Sequence, residues 1–528
     1  MKAEKLNSTE TSIQADWLWE SIPIALILLL AAGFDLYQLG TESLWVDELY
    51  SVNDAKGLPG HLGLIRPVYF ILLWLWMQFG TSDAWLRGLS VLFGLGSVFL
   101  TYQLGRRVAG KPTGLIAALL LALSPLFINF AQMVRMYTLG TCLGLGGTLA
   151  LVHALENPTT TSMAWWASLR LLVNLTAPLN ATLLFADIWL VWFRFRKQRA
   201  TLLAFGKWLL LVILLWLPSL LSLVSGSLPF LSKALNPIAK IDASATRHSF
   251  PSFVDVLRKL KNFTAFPFPS TSKVSSLFYQ AYSLLLAALV GIAIIHKNHK
   301  PRLCWIAAWA FIPSVMIFLV SKRLWIDRYI LFLSPYILII LAAGLMGLWR
   351  WKRSLAIAVA IIYTITVSSG LIRYYTVQDR QDWRNVAQTI SMNEKPGDTI
   401  VLSIGSPKMT SALGHYYNGD APIYSLKKLC PSAQVKKPDV EEALNNLPPI
   451  SSRLWLVCGT GFDQKKFRTV FKEHFDLERH AEFTNENFYR QNDLMHLFLV
   501  IPNSLNSTDT PNPTDIKNKS TSVSALGL

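Results

Sequence analysis

The stretch SIPIALILLLAAGFDLYQLGTESLWVDELY, residues 21–50, decides the fold. Its first part, Ser21–Leu39, is apolar over enough residues to cross the roughly 30 Å hydrocarbon core of a bilayer as a helix. Asp47 and Glu48 follow shortly after it, which puts two adjacent carboxylates at the rim of a membrane. Comparable apolar runs recur near Ala84–Leu104, Thr113–Ala131, Thr138–Leu155, Ala164–Ala177, Pro178–Phe193, Leu203–Ser225, Ser275–Ile295, Leu303–Val320, Tyr329–Trp349 and Ser354–Leu371. Together they predict an α-helical polytopic membrane protein with about eleven crossings. The pair from Ala164 to Phe193 is short and divided by Pro178.

Composition agrees with that class. Of 528 residues, 52% are hydrophobic and only 15% charged. The formal charge of +17 would suit nucleic acid, but the basic residues gather in short clusters between apolar spans, as cytoplasmic loops do under the positive-inside rule. Nucleic acid is therefore not an expected partner. With the N-terminus inside, Arg106-Arg107-Lys111, Arg194-Arg196-Lys197-Arg199, Lys297-Lys300-Arg302 and Arg350-Lys352-Arg353 all fall on the cytoplasmic side. This needs Pro67–Phe79, apolar but too short to span, to lie as a juxtamembrane helix; counting it as a crossing would invert every later loop. Asp47, Glu48, Arg66, Arg87 and Arg135 then share the extracytoplasmic side.

The remaining organisation follows from that frame. Residues 1–20 read as a polar cytoplasmic N-terminus ahead of an uncleaved anchor, since no small-residue cleavage site follows the first span. Residues 21–371 form the membrane module, with a first outer loop over 40–83. A second outer loop, Gly226–Val274, carries Lys233, Lys240, Arg247, Arg258, Lys259 and Lys261 and an amphipathic helix over Ser252–Phe263. Residues 372–502 turn soluble, with helices expected over Asp382–Ile390 and Lys465–Phe475 and strands over Thr399–Ile404, Arg453–Cys458 and Met495–Ile501, a small extracytoplasmic α/β domain. Residues 503–528 have the composition of a disordered tail. Of the four cysteines, Cys142 and Cys304 lie in apolar spans and none has metal-ligand spacing. A Cys430–Cys458 disulfide stays open, with nothing in the sequence to support it.

Asp47 and Glu48 have a plain structural reading, because acidic residues open helices and Asp47 would cap one around Leu49–Ala55. Arg135, at the end of an apolar span, has one as well: its guanidinium would snorkel to the interface. An arginine left deep instead pairs or lines a polar cavity. Arg66, Lys322, Arg323 and Arg328 add positive charge on the same side. Carboxylates ringed by arginines suit an anionic lipid headgroup, with guanidinium forks on phosphate oxygens and a carboxylate free to take a proton.

At these residues the chain resembles a known family. SLWVDELYS, then RPVYFILLWLWMQFGTSDAWLRGLSVLFGLGSVFLTYQLGRR, then LLLALSPLFINFAQMVRMYTL resemble the N-terminal module of GT-C glycosyltransferases. The likeness is to the family 39-like bacterial relatives of protein O-mannosyltransferases and aminoarabinose transferases. It extends more loosely to DRYILFLSP at Asp327–Pro335 and to DWRNVAQTI and PGDTIV in the soluble domain. The resemblance implies sugar transfer from a polyprenyl-phosphate donor to a protein, lipid or polysaccharide hydroxyl at the outer face, in one inverting displacement. It implies Asp47 as general base, Glu48 as the second acidic position, Arg66 as a donor-phosphate contact, and Arg135 with Tyr137 as the family's Arg-Met-Tyr motif; Arg135, Arg323 and Arg328 are expected on the donor phosphate as well, and Tyr137 and Tyr69 on substrate.

The chain departs from its relatives at three places. Many carry two prolines where Arg66-Pro67 stands, an acidic residue where Met133 stands, and a His-Tyr pair where this chain reads Ala177-Pro178-Leu179-Asn180. Some relatives hold a divalent ion, but His61 with the acidic pair makes no convincing metal site, and no cofactor is expected with certainty. Two other classes compete: a transporter or flippase of lipid-linked sugars, for which paired halves are missing from the sequence, and a non-catalytic subunit of an envelope complex.

Overall fold

In the computed structural model, the described residues are 21–58, 66–235, 253–265, 273–295, 302–320, 324–377, 380–403, 410–426, 428–430, 437–447, 452–459, 474–485 and 493–503. The chain divides into two compact units, the first reaching Arg380 and the second beginning at Gln381. The expected N-terminal segment, the tail beyond Asn503, residues 465–473 of the helix expected over Lys465–Phe475, His61, Lys322 and Arg323 lie outside the described residues, and Phe475 itself opens a strand rather than ending a helix.

The first unit is helical. In chain order it contains α1 (Ser21–Leu36), α2 (Val46–Lys56), α3 (Pro67–Met77), α4 (Asp83–Ala109), α5 (Lys111–Ala122), α6 (Pro125–Ala131), α7 (Tyr137–Glu156), α8 (Thr160–Thr176) and α9 (Leu183–Phe195). It continues with α10 (Arg199–Leu235), α11 (Phe253–Ala265), α12 (Lys273–Ile295), α13 (Leu303–Val320), the single turn α14 (Asp327–Ile330), α15 (Ser334–Trp351) and α16 (Arg353–Thr376). Among the described residues, six helices are long and apolar enough to cross a membrane, and α5 with α6 makes a seventh if the bent pair counts as one. The protein is a multi-pass membrane protein. α1, α3 and α13 are shorter apolar helices.

Two local features differ from the sequence reading, and a third, the break at Pro178, agrees with it. The span expected over Thr113–Ala131 is broken and bent by 65°. Ser124 caps the second piece by accepting from the Phe127 N–H at 3.3 Å, and Pro125 occupies its first turn, where a missing N–H costs nothing. α10 runs on to Leu235, well past the loop boundary expected at Gly226, so that outer loop begins as helix. The break at Pro178 is a short 3-10 turn over Pro178–Thr182 between α8 and α9.

α4 and α5 cross at a glycine contact. A Cβ on Gly114 would meet the Tyr102 carbonyl oxygen at 2.6 Å and the Arg106 nitrogen at 2.7 Å, so only glycine permits this approach. Farther along, a buried ion pair ties several helices together. Arg170 of α8 donates from Nε to Asp187 Oδ2 (2.6 Å) and from Nη2 to Oδ1 (3.0 Å). The indoles of Trp166 and Trp309 donate to the same carboxylate at 2.9 and 2.7 Å, and the remaining Arg170 donors reach the Gly144 carbonyl and Thr148 Oγ1. Both side chains are fully buried, and every charge in the cluster has a partner.

The second unit contains α17 (Trp383–Asn393), β1 (Thr399–Ser403), α18 (Thr410–Tyr416), β2 (Ile423–Ser425), α19 (Lys437–Asn445), β3 (Leu454–Cys458), β4 (Phe475–Asn485) and β5 (Asp493–Pro502). The sheet order is β2-β1-β3-β5-β4, parallel among the first three strands and antiparallel among the last three. The continuous apolar runs TIVLS and LWLVC make the buried central strands, as runs covered on both faces do. Cys430 and Cys458 form a disulfide, which in the loop-entropy description stabilises by about 3–4 kcal/mol. Asp398 accepts from Arg453 Nε (3.0 Å), Arg453 Nη2 (2.7 Å) and Trp455 Nε1 (2.9 Å). Burial raises its carboxyl pKa, but these hydrogen bonds, that of the Lys395 N–H and the Arg453 charge hold it below the usual aspartate value.

Candidate active site

The two carboxylates that follow the first apolar run have opposite surroundings. Both belong to the first turn of α2, whose cap residue is Trp45, so Asp47 is a helical residue rather than the cap. Glu48 points inward and is completely buried. It receives Arg87 Nε at 3.0 Å and Nη2 at 3.1 Å, the Val134 N–H at 2.9 Å and the Trp45 N–H at 3.1 Å. Arg380 Nη1 stands 3.9 Å away. Arg87 spends its other donors on the carbonyls of Leu39, Glu42 and Ser43. Glu48 thereby binds the segment after α1, α2, α4 and the turn before α7 into one knot. Burial alone would push its carboxyl up, but Arg87, Arg380 and the two hydrogen bonds outweigh that and hold it below the ordinary glutamate range.

Asp47 points the other way. Its side chain is 28% exposed and meets Arg328 Nη1 at 3.2 Å. Its backbone carbonyl accepts from Arg135 Nη1 at 2.9 Å, and the same Arg135 nitrogen reaches Ser51 Oγ at 3.1 Å. Arg135 thus takes neutral acceptors. Arg135 also lies 5.7 Å from the Tyr137 ring centre.

Arg328 is presented by α14, and α14 is anchored through its neighbour. Asp327 accepts from Lys259 Nζ at 2.6 Å and from Asn262 Nδ2 at 3.1 Å, both on α11. The amphipathic helix expected in the second outer loop is thus the support that aims Arg328.

Beside Arg328 opens a cavity of about 790 Å³. One end carries Arg66, Arg328, Tyr137 and Tyr329; the walls are apolar, from Leu184, Phe185 and Ile188 of α9 and from Leu209, Ile213 and Trp216 of α10. Phe185, Ile188 and Ile213 are 48%, 45% and 41% exposed, so the cavity opens along its apolar side. Among the described residues Arg66 makes only a long contact to Met136 Sδ at 3.9 Å, and burial together with the Arg135 charge pushes its guanidinium below its ordinary value. A polar end with excess positive charge and a long greasy flank can hold an anion attached to a hydrocarbon chain.

Of the residues singled out from the sequence, Asp47, Arg135 and Arg328 come together, and Arg66 and Tyr137 line the cavity next to them. Tyr69 is 1% exposed and is not among the cavity-lining residues. Glu48 faces Arg87 rather than the cavity, and Arg323 lies outside the described residues. Sequence reading missed Arg87 and Arg380 as partners of Glu48, and Lys259 with Asn262 as the support of α14. A charged residue inside or just after an apolar run is the signal each offered, without a pointer to its partner. The side chains around Asp47 do not fit a divalent cation, since Asp47 and Glu48 are each committed to arginine and, among the described residues, no group of three metal-ligating side chains forms there.

No protein-family model and no curated protein matches the sequence. Solved structures do match. The archaeal oligosaccharyltransferase AglB from Archaeoglobus fulgidus, in complex with an inhibitory peptide and a dolichol-phosphate, aligns over 83% of this chain and 69% of its own, with 11% identity and a TM-score of 0.50. ArnT from Cupriavidus metallidurans, bound to undecaprenyl phosphate, aligns over 90% of this chain and 98% of its own, again at 11% identity and a TM-score of 0.50. At this identity the likeness is one of fold: the helical module, followed by a small mixed sheet, has the GT-C fold of these structures.

Proposed function

We propose that the protein is a membrane glycosyltransferase that moves a sugar from a polyprenyl-phosphate donor to a hydroxyl of an envelope acceptor at the outer face of the membrane. The observation that carries this reading is the Asp47–Arg328 pair beside a cavity that holds two arginines and is otherwise lined mainly by apolar side chains. The donor phosphate takes Arg328 and Arg66, its polyprenyl chain follows the apolar flank between α9 and α10, and Asp47 is released toward the acceptor. Asp47 removes the hydroxyl proton as the acceptor oxygen attacks the anomeric carbon; the bond from that carbon to the phosphate oxygen breaks, and the electron pair leaves on polyprenyl phosphate. The arginines stabilise the charge that grows on the departing oxygen. One displacement inverts the anomeric centre.

The other residues serve this centre at one remove. Arg135 holds the Asp47 backbone, Glu48 with Arg87 fixes the helix that carries it, and Tyr137 borders the sugar end of the cavity. The Cys430–Cys458 disulfide supports an extracytoplasmic C-terminal domain, since such bonds persist in oxidising compartments. That AglB and ArnT were solved with dolichol-phosphate and undecaprenyl phosphate supports the same class of donor here.

The test compares envelope glycans and lipids by mass spectrometry in a strain lacking the gene, complemented with the native chain or with Asp47→Asn. The native chain is expected to restore one missing sugar and the variant to leave it missing. Full restoration by Asp47→Asn, or accessibility labelling that finds position 47 on the cytoplasmic side, would sink the proposal.

A further inference from the structure

The last two strands of the second unit carry a cluster that the transfer reaction does not use. His480 and Glu482 are two residues apart on β4 and so share a face of the sheet, and β5 places His496 directly opposite Glu482. The side chains converge: His480 Nε2 lies 3.2 Å from His496 Nδ1, and Glu482 Oε1 lies 3.7 Å from the first nitrogen and 3.6 Å from the second. Two neutral imidazoles and one carboxylate are the ligand set of open zinc sites, with bonds of about 2.0–2.2 Å that put neighbouring ligand atoms about 3.2–3.6 Å apart in a tetrahedron. The observed triangle has nearly that size before any ion pulls it in.

Packing holds the ligands in place. The His480 ring stacks on Phe498 with centres 4.3 Å apart and planes 4° from parallel, and Phe498 belongs to the apolar core of this unit. His496 is 7% exposed. The Glu482 side chain is 47% exposed, which leaves the outer side of the triangle open to water as a further ligand.

We propose that His480, Glu482 and His496 bind one Zn²⁺ ion, which pins β4 to β5 and leaves at least one coordination position to solvent. The alternative is a hydrogen-bonded histidine pair with a nearby carboxylate and no metal function. The test measures Zn²⁺ bound per chain, by competition with a chromogenic chelator, on the untagged full-length protein in detergent. The native chain and His415→Gln are expected to hold one ion that His480→Gln and His496→Gln lose. Affinity should fall by more than about 100-fold, beyond the 10–100-fold that loss of an outer partner costs. Equal stoichiometry and affinity in native and variant chains would overturn the proposal. A second readout needs no variant: Co²⁺ bound to the native chain is expected to show the intense visible absorption of a four- or five-coordinate site, and the weak spectrum of a six-coordinate ion would overturn it.

Discussion

Two arginine–aspartate pairs in the helical unit are built from the same chemistry and do opposite things. In Arg170–Asp187, both carboxylate oxygens have two partners each, both side chains are fully buried, and no donor of the cluster faces an opening. In Arg328–Asp47, a single 3.2 Å contact joins side chains that are 36% and 28% exposed, at the edge of a cavity. The closed pair spends its charge on holding helices together. In the proposed reaction the open pair keeps its charge in reserve for the donor phosphate. Saturation of the carboxylate, more than burial or pair identity, separates framework from site.

The contrast breaks most readily at Asp47. Asp47→Asn is expected to lower sugar transfer by about 10²–10⁴-fold while leaving the unfolding temperature unchanged, read by an in vitro transfer assay beside a thermal melt. Asp187→Ala should do the reverse, because it strands the Arg170 guanidinium among apolar helices at a cost of about 3–5 kcal/mol, seen as lost folded yield or a lowered melting temperature. Should Asp187→Ala be as stable as the native chain, saturation would not be the quantity that matters. Arg328→Ala should weaken binding of polyprenyl phosphate by about 10–100-fold, the worth of a charge-assisted hydrogen bond, measured by displacement of a labelled lipid phosphate. Its partly exposed pair should cost less than about 1 kcal/mol of stability.

The smallest effect sharpens the comparison from outside the helical unit. Asp398, held by Arg453 and Trp455, has a folded pKa below its unfolded one. Its contribution is therefore complete above the unfolded aspartate pKa and is lost as pH falls through the folded value. Asp398→Asn should flatten the acid side of the melting profile and leave the neutral side lower but parallel.

The sequence disclosed the membrane class, the place of Asp47 beside the first span, and the Arg135 and Arg328 charges, because long apolar runs and charges at their ends are local signals. What it hid was pairing. Glu48 and Arg87 are thirty-nine positions apart, and Arg380 reaches the same carboxylate from beyond the last span; nothing in either segment names the other. The Ser124-Pro125 break was readable as a cap and a first-turn proline, yet the surrounding apolar run masked it. β4, with Asp, Glu, Arg and His interleaved among its apolar residues, offers alternation too weak to separate from a charged loop, whereas TIVLS and LWLVC announced themselves. The zinc triangle was hidden for the same reason, since it exists only through strand register.

The apolar window of α10 is only 11% buried inside the protein, although this helix supplies one wall of the cavity. Acyl chains of the host bilayer are then its expected neighbours, and under the proposed function they would complete the carrier-binding cavity. Extraction into a short, loosely ordered detergent removes that backing and should slacken the grip on the carrier, whereas reconstitution into nanodiscs of native thickness should restore it. If the proposed transfer takes place here, its rate will carry the signature of the solvent that surrounds this flank.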